Sequence, residues 1–229
     1  YGEHPEATYR LTDVRPTGTG TDASLTVAGG PSVALHVPVP GTHNLLNGTA
    51  AVAIAHLLGM DLAVAAGALG RFGGVARRFE YRGEAGGVRF VDDYAHLPDE
   101  VKAAIAAGRA SQAGLAGLAG ADGTPGRVVA VFQPHRFTRT RDLAHTFRGA
   151  FDGADVLVVG GIYTAGEPAI EGVTGQMVAD AAGHPNMTYV EDRSALAAAV
   201  APLLRPGDLC LTLGAGDLTH LPDELMEAM

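Results

Sequence analysis

From residue 127 onward, short apolar runs alternate with stretches of helical pattern, and this alternation constrains the fold more than any other feature of the sequence. The runs Arg127–Phe132, Asp155–Gly160, Met187–Val190 and Asp208–Leu213 lead in turn to helical patterns over Arg141–Phe151, Gly175–Ala182, Ser194–Leu204 and a short terminal stretch. Runs without polar alternation belong to strands covered on both faces. Strand–helix alternation of this kind predicts an α/β fold, a mostly parallel sheet with helices on both faces. Ligands of such sheets sit outside the carboxyl ends of the strands, so residues just after each run are the first candidates for chemistry.

Upstream, the hairpin Phe79–Arg82 and Val88–Asp92 runs into a helix opened by Pro98–Asp99–Glu100, a proline followed by two acids in the first turn. The first forty residues read differently. Thr8–Val14, Ser24–Val27 and Val33–Val37 form short antiparallel strands, punctuated by Gly18–Gly20 and Gly29–Pro31. Helices follow from about Asn44 to Leu58 and from Leu62 to Phe72. The change of pattern near residues 74–78 divides the chain into residues 1–76 and 77–229, and the start at Tyr1 suggests a piece of something longer. Ser111–Gly126 reads as a Gly/Ala-rich loop.

A formal charge of −9 argues against a general nucleic-acid or anionic-membrane surface. Lys102 is the only lysine among sixteen cations, so charge recognition falls to arginine. Cys210, the single cysteine, lies in an apolar run and reads as a buried thiol. Neither a disulfide framework nor a cysteine zinc site is available, and the nine histidines lack ligand spacing, so no metal held by histidines is expected. With no long apolar run, a soluble, cytoplasmic protein is the expectation.

Against this acidic background, Arg136, Arg139 and Arg141 fall within six residues just past the strand Arg127–Phe132, beside His135. Guanidinium groups grip carboxylate or phosphate in two-pronged fashion, so the cluster predicts an anion pocket. Asp92–Asp93–Tyr94–Ala95–His96 ends another strand and should share that edge. In Gly41–Thr42–His43–Asn44–Leu45–Leu46–Asn47, the two amides three residues apart share a helix face and suit a heterocycle edge, although Asn44 alone could be an N-cap. Arg77–Arg78 stands at the joint between the two parts, either as surface ion pairs or reaching an anion. Gly18–Thr19–Gly20–Thr21 precedes a strand and lacks the Gly–Lys–Ser/Thr of a phosphate loop, so it reads as a hairpin turn. Gly214–Ala215–Gly216–Asp217 offers a possible anion nest, although a turn with a helix cap fits it better.

Taken in order, GTHNLLN (41–47), FGGVARRFE (72–80), VDDYAHLPDE (91–100), FQPHRFTRTRDL (132–143) and LTLGAGD (211–217) resemble the Mur ligase family. The FQPHRxTRTRD stretch resembles the alanine-adding branch. The resemblance implies the C-terminal part of a central ATPase domain followed by a Rossmann-like C-terminal domain. It also implies an ATP- and magnesium-dependent reaction joining L-alanine to UDP-N-acetylmuramate, with no nucleic-acid or membrane partner. The phosphate loop and most magnesium ligands would lie upstream, leaving the fragment inactive alone. Carried over onto matching positions, His43, Asn44, Asn47, Arg78 and Asp93 would bind ATP. Tyr94, His96, His135, Arg136 and Arg139 would form the pocket for alanine and the acyl end of the muramate, with Arg78, His96 and Arg139 catalytic. The sequence departs from the family at Leu97, where a second histidine is usual. Alternatives are a muramyl-peptide recycling ligase, a folylpolyglutamate-type synthetase, or a non-catalytic nucleotide-binding module.

Overall fold

A computed structural model describes residues 1–114 and 126–229. Two sheets organise it. Strands β1 (Tyr9–Pro16), β2 (Thr21–Val27) and β3 (Ser32–Val37) form an antiparallel meander, and helices α1 (Thr42–Leu57) and α2 (Leu62–Leu69) pack beside it. The six-stranded sheet has the order β4 (Glu80–Ala85), β5 (Val88–Asp93), β9 (Leu209–Leu213), β6 (Val128–Phe132), β7 (Val156–Gly160), β8 (Met187–Val190). Only β4 runs antiparallel to its neighbour. The α/β class with a mostly parallel sheet is therefore as the strand–helix alternation predicts.

Alternate side chains explain why these runs are strands rather than helices. Val128, Ala130 and Phe132 of β6 join the core beneath α3 (Pro98–Gly114) and α5 (Gln176–Ala182), while Val131 enters the opposite core with α6 (Leu196–Val200) and α7 (Leu221–Ala228). Leu209, Leu211 and Leu213 of β9 face the first core, and Cys210 faces the second. Cys210 is fully buried, and desolvation pushes its thiol up to about 12, which leaves it unreactive at neutral pH.

Strand β9 enters the sheet between β5 and β6, so the carboxyl ends of those two strands flank Leu213. Asp93 pairs with Leu213 on one side and Phe132 with Leu213 on the other. The two motif-bearing loops thus leave the same edge, separated by two strand spacings, about 10 Å.

Several boundaries differ from the sequence reading. The helix expected over Arg141–Phe151 is instead α4 (Phe137–Leu143) followed by a 3₁₀ turn at Ala144–Phe147. Arg139 is therefore a helical residue, not a loop residue. Ser194–Leu204 breaks into a 3₁₀ turn, the short α6 and a second 3₁₀ turn around Pro202, whose ring leaves no N–H for a longer ladder. Ser111–Gly114 completes α3 rather than opening a loop, and residues 115–125 of that expected loop lie outside the described residues.

The apolar residues Ile54, Leu57, Leu58 and Val64 of α1, its C-cap and α2 are exposed, Leu58 to 83%. Among the described residues, no helix is long and apolar enough to cross a membrane.

Candidate active site at the carboxyl edge of the sheet

The segment joining the two sheets is held by the two aspartates that end β5. Asp92 is fully buried, and its carboxylate accepts from Arg77 Nε (3.2 Å), Thr212 Oγ1 (2.7 Å) and Thr219 Oγ1 (2.8 Å). Arg77 also donates to the carbonyls of Gly214 (2.6 Å) and Gly216 (3.2 Å). Asp93 accepts the backbone N–H groups of Phe79 and Ala95, each at 2.8 Å. Burial pushes the Asp93 carboxyl up, and these two N–H groups and the Arg78 charge act against that rise.

The arginine pair divides. Arg77 is consumed by the structure, whereas Arg78 is exposed and lines a cavity of about 790 Å³. That cavity has an apolar side with Val37, Val39, Leu69 and Phe72, and a polar side with His43, Asn44, Asn47, Arg78 and Asp93. Asn44 is not the N-cap of α1; Gly41 is, and Asn44 Nδ2 donates to the Pro40 carbonyl at 2.8 Å. This leaves the Asn44 oxygen and one amide proton for a ligand. Gly41 has φ +106, and a Cβ there would crowd the His43 ring, so the turn into α1 requires glycine. Burial lowers the His43 pKa, with the Arg78 charge assisting and Asp93 opposing.

A second group of side chains adjoins the cavity across Tyr94. Arg77 and Arg78 stack on that ring, with guanidinium carbons 4.9 and 5.6 Å from its centroid. Tyr94 meets His96 edge-on (5.5 Å), His96 lies 5.8 Å from His135, and His135 stacks on Tyr163 (5.6 Å). These rings bridge the two strand spacings between β5 and β6.

Hydrogen bonds fix the polarity of both imidazoles. His96 Nδ1 lies 3.0 Å from the Tyr94 carbonyl, which can only accept, so Nδ1 carries the proton. Glu100, whose Oε2 is 3.4 Å from the same nitrogen, reinforces this and also accepts the N–H groups of His96 and Leu97 at the start of α3. Neutral His96 therefore keeps a lone pair on Nε2. His135 has the opposite arrangement. Its Nδ1 lies 3.1 Å from Arg139 Nη1, and guanidinium can only donate, so Nε2 carries the proton. Burial, then the charges of Arg139, His96 and Arg136, lower the His135 pKa and favour its neutral form.

The sequence reading missed two contributors. Gln133 is buried, donates from Nε2 to Asp217 at 2.9 Å, and leaves its Oε1 unpartnered beside Gly216. A Cβ at Gly216 would overlap the Tyr163 ring, so this glycine permits the close approach of the two loops. The Gly214–Asp217 stretch forms a turn whose carbonyls bind Arg77 and whose Gly214 N–H binds the Asp93 carbonyl (3.0 Å). Tyr163 itself sits in a loop without a sequence signal; its N–H and carbonyl pair with Pro134 and Arg136.

Residues 77–216 match the family described as Mur ligase, glutamate ligase domain. The chain belongs to the Mur ligase family. It is 43% identical over its full length to the UDP-N-acetylmuramate–L-alanine ligase of Thermobifida fusca, covering 48% of that relative. It is 44% identical, again over its full length, to the enzyme of the same name from Myxococcus xanthus, covering 47% of it. The crystal structure of UDP-N-acetylmuramate–alanine ligase from Thermotoga maritima superposes with a TM-score of 0.79 at 27% identity, over 98% of this chain and 46% of that one. This Mur ligase chain thus spans about half the length of the relatives it matches.

A further cavity, about 820 Å³, opens at the opposite edge of the Mur ligase sheet, near the starts of β7 and β8. Its Arg127 is paired with Asp208 (2.6 Å), and none of the motif residues line it.

Proposed function

We propose that the chain is the C-terminal half of an ATP-dependent ligase that joins L-alanine to UDP-N-acetylmuramate in peptidoglycan biosynthesis. The observation that carries this reading is the imidazole–guanidinium group of His96, His135 and Arg139, contiguous through Tyr94 with a nucleotide-sized cavity. The names of its relatives supply the substrates.

In such a reaction the γ-phosphoryl group of ATP passes to the muramate carboxylate, giving an acyl phosphate and ADP. The neutral amine of alanine then attacks the acyl carbon, the C–N bond forms, and inorganic phosphate leaves. Asn44 and Asn47 would face the adenine edge, the apolar wall its faces, and Asp93 the ribose hydroxyls. Arg78 would offset charge on the transferring phosphoryl group. Arg139 and Arg136 would take the alanine carboxylate, with the His135 Nε2 proton as a further donor. The His96 Nε2 lone pair would accept a proton from the alanine ammonium and release the nucleophilic amine. Holding alanine by its carboxylate while its amine faces the acyl carbon makes the attack effectively intramolecular.

Magnesium supplies charge neutralisation on the phosphates when bound. Among the described residues no three acidic, histidine or cysteine side chains gather as a metal site would require. The proposed nucleotide-linked substrates support a cytoplasmic reaction.

A substrate panel tests the reading. A full-length enzyme carrying these 229 residues should release ADP only with UDP-N-acetylmuramate and L-alanine together. Preference for a tripeptide would favour a recycling ligase, preference for L-glutamate a folylpolyglutamate-type synthetase, and nucleotide binding without product a non-catalytic module.

A further inference from the structure

The loop after β7 reaches the arginine cluster through one carboxylate. Glu167 Oε2 accepts the Thr138 backbone N–H (3.0 Å), and Oε1 accepts the Thr138 hydroxyl (2.7 Å). These bonds replace the missing N-cap of α4, where Arg136 occupies the cap position at φ +72 with no capping side chain of its own. A non-glycine residue in that region is strained and persists only where its surroundings hold it. Here the surroundings are the same loop: the Arg136 N–H donates to the Tyr163 carbonyl at 2.8 Å, and the Tyr163 N–H to the Pro134 carbonyl at 2.8 Å. Tyr163 also stacks on His135, whose Nδ1 accepts from Arg139. Glu167 is therefore bonded to the first turn of α4, two residues from Arg136 and one from Arg139, while its own loop braces His135.

We propose that Glu167 is a positioning residue for the amino-acid pocket, clamping the loop 161–167 to the first turn of α4 so that Arg136, His135 and Arg139 meet the substrate carboxylate in one fixed geometry. This rests on the ligase reading and adds to it the part that sets affinity for the amino acid apart from affinity for nucleotide. Glu167 does not touch the substrate. The Arg136 charge in turn favours the ionised Glu167 carboxyl, after the two bonds from Thr138. The Glu167 charge reaches His135 as well, where it opposes the lowering caused by Arg139, His96 and Arg136.

The test uses the full-length enzyme with Glu167→Ala, Glu167→Gln and Thr138→Val. Glu167→Ala should raise the KM for L-alanine about tenfold, the scale of one lost charge-assisted hydrogen bond, while the KM for ATP stays within about twofold. Thr138→Val, which keeps the backbone bond, should give a smaller rise of the same kind. An unchanged alanine KM in Glu167→Ala, or equal rises in all substrate KM values, would overturn the proposal, because a merely structural residue moves them together. An NMR titration independent of turnover accompanies it: Glu167→Gln should lower the His135 pKa further, and an unmoved His135 counts against the clamp. Should the unsubstituted enzyme ignore alanine, the ligase reading fails instead, and the His135 titration still decides whether Glu167 acts on this pocket.

Discussion

At the scale of single residues, the proposed chemistry depends on two imidazoles held in opposite tautomers, their ring centroids 5.8 Å apart. His96 offers a lone pair because its Nδ1 proton goes to the Tyr94 carbonyl, and His135 offers a proton because its Nδ1 accepts from Arg139. This makes a measurable prediction. His135 should titrate below its ordinary value in an NMR experiment, and Arg139→Ala should move it upward by removing the nearest of the three charges that lower it. A His135 that titrates identically in both proteins would mean the contact is absent in solution. The two adjacent arginines of the linker provide a second contrast. Removing Arg77 leaves the fully buried Asp92 without its cation, which costs on the order of 3 kcal/mol. Arg78 makes no such bond, so Arg78→Ala should leave the urea midpoint nearly unchanged while weakening ATP binding. Equal midpoints for both variants would remove Arg77 from its structural role.

At the scale of elements, legibility in the sequence followed the range of the interactions. The parallel strands β6, β7 and β9 were readable because their burial on both faces is written in consecutive apolar residues. The start of α3 was readable because its proline and acids are local signals. The start of α4 was not, because its capping group is Glu167, twenty-nine positions away, and its cap residue is an arginine with positive φ. The same holds for Tyr163 and Gln133, which reach the candidate site only through tertiary contact. Arg77 and Arg78 look equivalent in sequence, and only the burial of Asp92 separates them. Gly216 gives an element-level prediction. Gly216→Ala should force the 214–217 turn away from Tyr163 and cost about 1–3 kcal/mol through overpacking; a thermal melt unchanged within error would show that the loops do not meet so closely.

At the scale of the whole molecule, two sheets meet around one cavity, and ionisable groups in it and near it couple stability to pH. His43 and His135 are both lowered by burial, so the unfolded chain binds their protons first as pH falls. Their contribution is fully present above about 6.5 and is lost as pH drops through the folded values. Asp93 works in the opposite sense, since its raised pKa lets the folded state take up a proton before the unfolded chain does. Urea midpoints at pH 7.5 and 5.5 should therefore fall on acidification, and fall less in a His43→Gln/His135→Gln variant. An equal fall in both would assign the dependence elsewhere.

Exposed apolar residues on α1 and α2 occur in a chain that spans about half the length of the relatives it matches. The central claim is that the carboxyl edge of the sheet holds an amino acid by its carboxylate, beside the nucleotide. Steady-state kinetics of Arg139→Ala in the full-length enzyme address it most directly. The account predicts a KM for L-alanine raised on the order of 10- to 100-fold, the cost of a lost charge-assisted contact, with the KM for ATP little changed. An alanine KM equal to that of the unsubstituted enzyme would contradict it.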